Sequence, residues 1–276
     1  MQRLVPSTPE ALATWAAMVR ANRHQAERVR ESAAGSDFYA PVAGSFRADP
    51  HRTDEEALDL LRRIVRPGET WLDIGAGGGR YALPLALRAE RVIAVDPSQG
   101  MLAVLREGMA EHRIANIEIV ESRWPMADAP VADVALVSHV GYDIEEIGPF
   151  LAAMEASARR LCVALLLDEA PASVAKRYWP PIHGEERALL PALPDFITLL
   201  LARGCFVEVR AAGARQPGHY SDVEAALGFL RQQLFIQPGG EKDRRLQEIL
   251  EASRTPEGIP TATEPLALGI VTWEPR

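Results

Sequence analysis

Two carboxylates with nearly bare backbone between them carry most of the chemical information in this chain. Residues 70–87 read TWLDIGAGGGRYALPLAL and residues 92–102 read VIAVDPSQGML. The first segment is a short apolar run, Trp71 to Ile74, that holds one acid, Asp73. It passes through Gly75-Ala76-Gly77-Gly78-Gly79 into an apolar stretch at helical spacing. A strand that feeds a helix through glycines lets a ligand approach main chain that a side chain would otherwise cover. The second segment is another apolar strand, ending in Asp96. An acid at that tip, roughly 20 residues beyond a glycine turn, is placed to accept hydrogen bonds from ribose hydroxyls. Asp73, just before the turn, is wrong for a diphosphate and right for a ligand carrying an ammonium group.

Nicotinamide and flavin sites use G-x-G-x-x-G, with the third glycine letting the helix pack close to the strand. Gly75 and Gly77 fit that pattern, but Arg80 takes the third place. The combination D-I-G-A-G-G-G-R with V-D-P-S-Q-G-M-L instead resembles the S-adenosylmethionine (SAM) pocket of class I methyltransferases. The resemblance covers about residues 55 to 170. It implies that Asp73 holds the methionine ammonium, directly or through water. Gly75, Ala76 and Gly77 would present backbone to the methionyl part and sugar, and Asp96 would take the ribose. Pro97 and Met101 would pack on the adenine, although a methionine at helical spacing is equally a core residue. After the third strand, Glu121 or Ser122 can supply a polar contact to the adenine edge. Arg123 and Trp124 can supply backbone amides, which is the preferred reading, or Trp124 can cover the ring.

The fourth strand ends at Ser138-His139-Val140-Gly141-Tyr142. Ligands of open α/β folds bind at the carboxyl ends of the strands, so Ser138 and His139 fall where sulfonium and acceptor would meet. His139 is a candidate general base for a hydroxyl acceptor; the alternative is a histidine that only lines the pocket. The Asp/Asn-Pro-Pro-aromatic motif of enzymes that methylate base amines does not occur here. Tyr39, Tyr142, Trp179, His183 and Tyr220 are candidates for an acceptor pocket, each weighed against plain packing. Methyl transfer from a sulfonium needs positioning and exclusion of water more than a catalytic dyad.

Alternating elements must position these groups. Apolar runs predict strands near 71–74, 91–95, 117–120, 133–138, 161–167, 205–211 and 266–273, with helices near 79–89, 98–112, 144–158 and 192–203. Runs such as Val134-Ala135-Leu136-Val137 suit strands buried on both faces. Ser7-Thr8-Pro9-Glu10 has the form of a capping box and predicts a helix from about Pro9 to Ala33. Thr53 with Glu56, and Ser221 with Glu224, have the same form. Asp143 with Glu146 reads as a cap, and Ser98 as an N-cap. The resemblance implies a seven-stranded, doubly wound, mostly parallel sheet whose last strand runs antiparallel. Residues 1–52 form an N-terminal helical cover and 53–276 the Rossmann-like domain. Residues 170–191 are a candidate lid. The helical insertion at 214–262, before the last strand, either caps the site or makes a homodimer contact.

Bulk properties set the outer bounds. The chain has 276 residues, 47% apolar, and a formal charge of −8. That balance argues against a nucleic-acid partner, which needs basic patches. No apolar stretch approaches the ~20 residues of a membrane span. Cys162 and Cys205 lie in apolar runs without a metal-binding pattern, so reduced thiols, no metal and a cytoplasmic setting are expected. The expected function is SAM-dependent methyl transfer to a small molecule, with S-adenosylhomocysteine (SAH) as product. A SAM-binding sensor or assembly protein without transfer activity is the first rival. A nicotinamide-dependent oxidoreductase is the second.

Overall fold

The computed structural model describes residues 5–31, 44, 47–260 and 264–276. In chain order the strands are β1 (Thr70–Ile74), β2 (Arg91–Asp96), β3 (Ile117–Glu121), β4 (Ala132–Ser138), β5 (Ala158–Leu167), β6 (Val207–Arg215), β7 (His219–Tyr220), β8 (Ile259–Pro260) and β9 (Leu266–Trp273). The helices are α1 (Thr8–Val29), α2 (Glu56–Ile64), α3 (Ala82–Ala86), α4 (Gln99–His112), α5 (Ile147–Ala156), α6 (Trp179–His183), α7 (Leu193–Ala202), α8 (Val223–Leu234) and α9 (Glu241–Ala252). A 3₁₀ helix, Pro171–Tyr178, runs into α6.

Seven strands form one sheet in the order β3-β2-β1-β4-β5-β9-β6. β1 pairs in parallel with β2 and β4. β9 is antiparallel to both β5 and β6, so β6 runs with the parallel set. The register aligns Asp73 with Ala94 and Leu136, which brings the carboxyl ends of β1, β2 and β4 to one edge. This is the doubly wound, mostly parallel sheet of the class I methyltransferase fold, with the last strand reversed as the resemblance implied.

Both faces are covered because the strands alternate two apolar sets. Leu72, Ile74, Ile93, Val95, Ala135 and Val137 face a cluster completed by Trp15 and Val19 of α1, Phe150 and Met154 of α5, and Phe196 and Leu199 of α7. Trp71, Val92, Ala94, Val134 and Leu136 face the opposite cluster with Leu58 and Leu61 of α2, Leu83 and Leu85, and Leu102 and Leu105 of α4. Each such side chain contributes about 1.5–3 kcal/mol on burial. That two-sided payload explains why the strands read as unbroken apolar runs.

A third cluster stands apart. Ala175, Tyr178, Trp179 and Ile182 pack with Val223, Leu227, Leu230 and Leu234 of α8, Leu246 and Leu250 of α9, and Ile259. Residues 175–182, from the middle of the candidate lid, and the insertion from Tyr220 to Ile259 therefore share one core as a single helical layer, while Ala170 and Leu190 pack with the sheet.

Several local expectations shift. α1 ends at Val29, and Ala33 lies outside the described residues. Its start is held as expected: the Glu10 carboxylate accepts from the Ser7 N–H and hydroxyl at 2.8 and 2.7 Å. Glu55 rather than Thr53 stands at the start of α2, without a capping bond from its side chain. At α8 the cap is Asp222, not Ser221, with its carboxylate accepting from Ala225 N–H at 2.8 Å. Glu146 rather than Asp143 stands at the start of α5, without a capping bond from its side chain. The helix after the glycine turn is only the five residues of α3. Both cysteines are free and buried. Among the described residues no helix is long and apolar enough to cross a membrane.

Candidate cofactor and methyl-transfer site

The glycine turn folds back on the tip of β2. Gly75 and Ala76 N–H both donate to the Val95 carbonyl, at 2.7 and 3.1 Å. Gly75 has φ of 76°, and a Cβ there would stand 2.5 Å from Cγ2 of Val140, so the turn needs glycine for both backbone and space. Gly77 N–H donates to Oδ2 of Asp96 at 2.9 Å, and Ser98 N–H donates to Oδ1 at 2.8 Å. Asp96 is thus locked between the glycine turn and the start of α4, which Ser98 caps by accepting from Met101 N–H at 3.2 Å. Met101 is buried beside Gly77, and Pro97 is exposed at the β2 tip.

Asp73 has a different setting. It is 2% exposed. Burial, reinforced by the charge of Asp96 and opposed by a hydrogen bond from the Ala82 backbone, pushes its pKa up to about 7. A carboxyl in that state gains most from a cation that arrives with its own donors. The two acids the sequence singled out are therefore neighbours, one satisfied by amides and one held part-way to neutrality.

At the tip of β4, His139 has φ of 55°, a left-handed backbone that costs about 1 kcal/mol or more in a non-glycine residue. Its N–H donates to Leu165 O at 2.9 Å, which fixes the strained turn to β5. Nδ1 of His139 and Oγ of Ser138 are buried without a hydrogen-bond partner. Burial, with the nearby charges of Arg80 and Arg215, lowers the His139 pKa to about 4. The imidazole is neutral at pH 7, suited to hydrogen bonding and poorly tuned as a proton acceptor.

The third-strand residues divide. Ser122 N–H donates to Asp96 O at 3.3 Å, and Glu121 accepts from Gln99 Nε2 at 2.8 Å. Arg123 is exposed. The Trp124 indole donates to Phe150 O at 3.3 Å, which commits the ring to packing against α5.

Most residues proposed for an acceptor pocket sit elsewhere. Tyr142 is buried in the sheet core and its hydroxyl accepts from Leu167 N–H at 2.8 Å. Trp179 and His183 stack at 4.5 Å inside the helical layer, where His183 Nε2 lies 3.0 Å from Leu234 O. Tyr220 packs on the same layer, 6.0 Å from the Phe229 ring. These side chains are packing, because the helical layer needs its own apolar centre. Tyr39 lies outside the described residues.

Sequence reasoning missed Glu55. Its carboxylate accepts from Arg52 Nε and Arg80 Nη2, each at 2.8 Å, and from the Tyr81 hydroxyl. Burial works against the charge of Glu55, but the Tyr81 and Arg52 hydrogen bonds and the Arg80 charge outweigh it and hold its carboxyl below the usual range. Arg52 Nη2 also donates to Arg80 O at 2.8 Å. The residue that replaces a third glycine thus ties the chain entering α2 to the glycine turn. The arginine itself was the available signal. Among the described residues no group of three or more His, Cys, Asp or Glu is arranged to hold a metal.

Comparison with known proteins agrees with this geometry. The family described as "Methyltransferase domain" matches residues 72–161. A probable ribosomal RNA small subunit methyltransferase A from Methanosphaera stadtmanae is 34% identical over 93 residues, 33% of this chain and 34% of that protein. The solved structure of the YcgJ protein from Bacillus subtilis superposes with a TM-score of 0.55 at 13% identity, over 80% of this chain and 98% of that one. Magnesium protoporphyrin IX methyltransferase from Synechocystis, solved with bound SAH, superposes with a TM-score of 0.50 at 12% identity, over 91% and 94%. Residues 72–161 thus match a methyltransferase domain, within a chain that has the fold of class I methyltransferases. The chain spans about a third of the length of the first curated relatives it matches.

Proposed function

We propose that the protein binds SAM at the tips of β1, β2 and β4 and transfers its methyl group to a small-molecule acceptor. The observation that carries this reading is the pairing of Asp73 and Asp96 across the glycine turn, one buried acid short of a cation and one acid armed by two amides. An amino-acid-bearing nucleoside fits both. Asp73 would meet its ammonium, the backbone at Gly75 to Gly77 its methionyl chain, and Asp96 its ribose hydroxyls. Pro97 and Met101 would flank the base, and the amides of Arg123 and Trp124 its edge.

SAM supplies a methyl already activated by the sulfonium. The chain's residues then have to orient and exclude water. Ser138 and His139 offer a hydroxyl and a neutral imidazole to orient an acceptor hydroxyl or amine. The formal charge of −8 supports a metabolite rather than an RNA. The relatives' printed acceptors, ribosomal RNA and a porphyrin, differ so much that neither is carried over.

Titration calorimetry with SAM, SAH and NAD tests the reading. Saturable heats with SAM and SAH and none with NAD are expected; heat with NAD alone would reject it. The depressed His139 pKa favours one second reading, a SAM-binding protein without transfer activity. Methyl-labelled SAM incubated with a metabolite pool separates the two, since only transfer yields a labelled small product.

A further inference from the structure

The loop between α6 and α7 carries a guanidinium that no carboxylate of the described residues balances. Arg187 is 9% exposed. Its Nη1 donates to Gln233 O at 3.2 Å, and its guanidinium carbon stands 4.5 Å over the Trp179 ring. Among the described residues it forms no ion pair, and Nε and Nη2 have no protein acceptor. Burial is the sole cause that lowers its pKa, to about 10. Gln233 lies in the last turn of α8. A helix end carries only about half a negative charge, so much of the guanidinium charge stays unopposed.

The backbone on either side of Arg187 is braced. Gln25 of α1 donates to Glu186 O and accepts from Ala188 N–H, both at 2.7 Å. Asn22 donates to Ala188 O at 2.5 Å. With Trp179 stacking on the side chain, the fork is fixed before any ligand arrives.

Arg187 lines a cavity of about 100 Å³. Asp168, Glu169 and Asp195 also line it. Each of these acids is engaged: Asp168 accepts from Glu169 N–H at 3.0 Å, Glu169 pairs with Lys176 at 3.1 Å, and Asp195 accepts from Ala192 N–H at 2.9 Å. Arg187 is therefore the cationic residue in the lining, and Lys176 lies behind it as the partner of Glu169. Asp168 directly follows β5, and Leu167 N–H is bonded to the Tyr142 hydroxyl three residues past His139. The cavity thus lies one strand over from the proposed methyl-transfer point.

We propose that this cavity receives the carboxylate of the methyl acceptor, so that the acceptor is a small, singly charged acid. Its assignment to the acceptor rests on the methyltransferase reading above. The free Nε and Nη2 edge of Arg187 matches a carboxylate in bidentate geometry. Three acids in the walls select against a doubly charged anion such as phosphate. The volume is far below the roughly 300–1,000 Å³ of a drug-sized site, so it takes one end of a molecule.

The test is calorimetry on the full chain saturated with SAH, using acetate, propionate, butyrate and inorganic phosphate, repeated with R187Q and R187K. A saturable carboxylate isotherm is expected, at least about tenfold weaker in R187Q and partly kept in R187K. The Nε resonance of Arg187 in the native protein should move with propionate, and it decides the matter if R187Q does not fold. No saturable carboxylate binding, equal binding to R187Q, or tighter binding of phosphate overturns the inference. SAH binding without carboxylate binding removes the inference alone. Carboxylate binding without SAH binding removes the methyltransferase reading, and the assignment to an acceptor with it.

Discussion

The tips of β1, β2 and β4 and the helical layer at 171–260 are built on opposite plans. At the strand tips, polar atoms are left over: Ser138 Oγ and His139 Nδ1 are buried and unpartnered, Asp73 is only half-ionised near neutrality, and His139 is strained. The helical layer also leaves Trp179 Nε1 and His183 Nδ1 buried and unpartnered and holds Phe235 at φ of 58°, but its buried ionic groups are paired. Arg231 meets both oxygens of Asp243 at 2.7 and 3.0 Å, and Gly239 N–H donates to the same carboxylate at 2.7 Å. Unsatisfied groups survive only where something else stabilises the fold or where a ligand completes them. The contrast is one of charge: the strand tips hold a buried acid and a strained histidine without a counter-charge, whereas the helical layer pairs its acid with an arginine, Arg187 excepted.

The largest effect should come from the helical layer. Leu230→Ala, at the centre of the third cluster, should cost about 2–5 kcal/mol of stability in denaturant melts. SAM affinity in the surviving folded protein should stay within about twofold. A large affinity loss would erase the division between the regions.

Asp73→Asn should act in the opposite sense. A carboxyl whose folded pKa is raised from 3.8 to about 7 favours folding while protonated, and that advantage is lost as pH rises from about 4 to about 7. Above pH 7 the amide should therefore stabilise the fold, by at most about 4 kcal/mol, while SAM binding falls. In the native protein SAM affinity should rise as pH increases through about 7, because the ammonium needs the ionised acid. A flat pH profile would remove Asp73 from the site.

Asp96→Ala should weaken SAM binding by roughly 1–3 kcal/mol in calorimetry, the usual scale for hydrogen bonds to a charged group. Unchanged affinity would refute the ribose role. The smallest effect is expected at His139. His139→Gly should stabilise by about 1 kcal/mol through release of the left-handed strain. Its turnover loss should fall short of the ~10²–10⁴ of a well-tuned base. A loss inside that range would restore His139 as the base.

The same division governs what the sequence could reveal. The sheet was legible because strands buried on both faces leave long apolar runs, and the acids and glycines at their tips punctuate those runs. The contact between the glycine turn and Asp96 was legible from spacing, since Gly77 and Asp96 are only 19 residues apart, while the roles toward a cofactor came from the family resemblance. The surroundings of the candidate acceptor residues were not legible. Trp179, His183 and Tyr220 look like pocket aromatics by composition, yet they fill a core whose other members come from α8 and α9. Glu55 reaches Arg80 across 25 residues, and Gln25 braces Ala188 across 163, distances over which no local pattern speaks. Capping motifs missed the helix start by one to three residues, and at α8 the cause is that Asp222 displaced Ser221.

The reversed strand β9 has a consequence of its own. β6 leaves the sheet at Arg215 on the same edge as His139, and β9 re-enters at Leu266 on that edge. Whatever length of polypeptide evolution splices between them begins and finishes at the edge that carries Asp73, Asp96 and His139. The chain can therefore exchange what covers that edge while leaving the pairing of β1, β2 and β4 untouched.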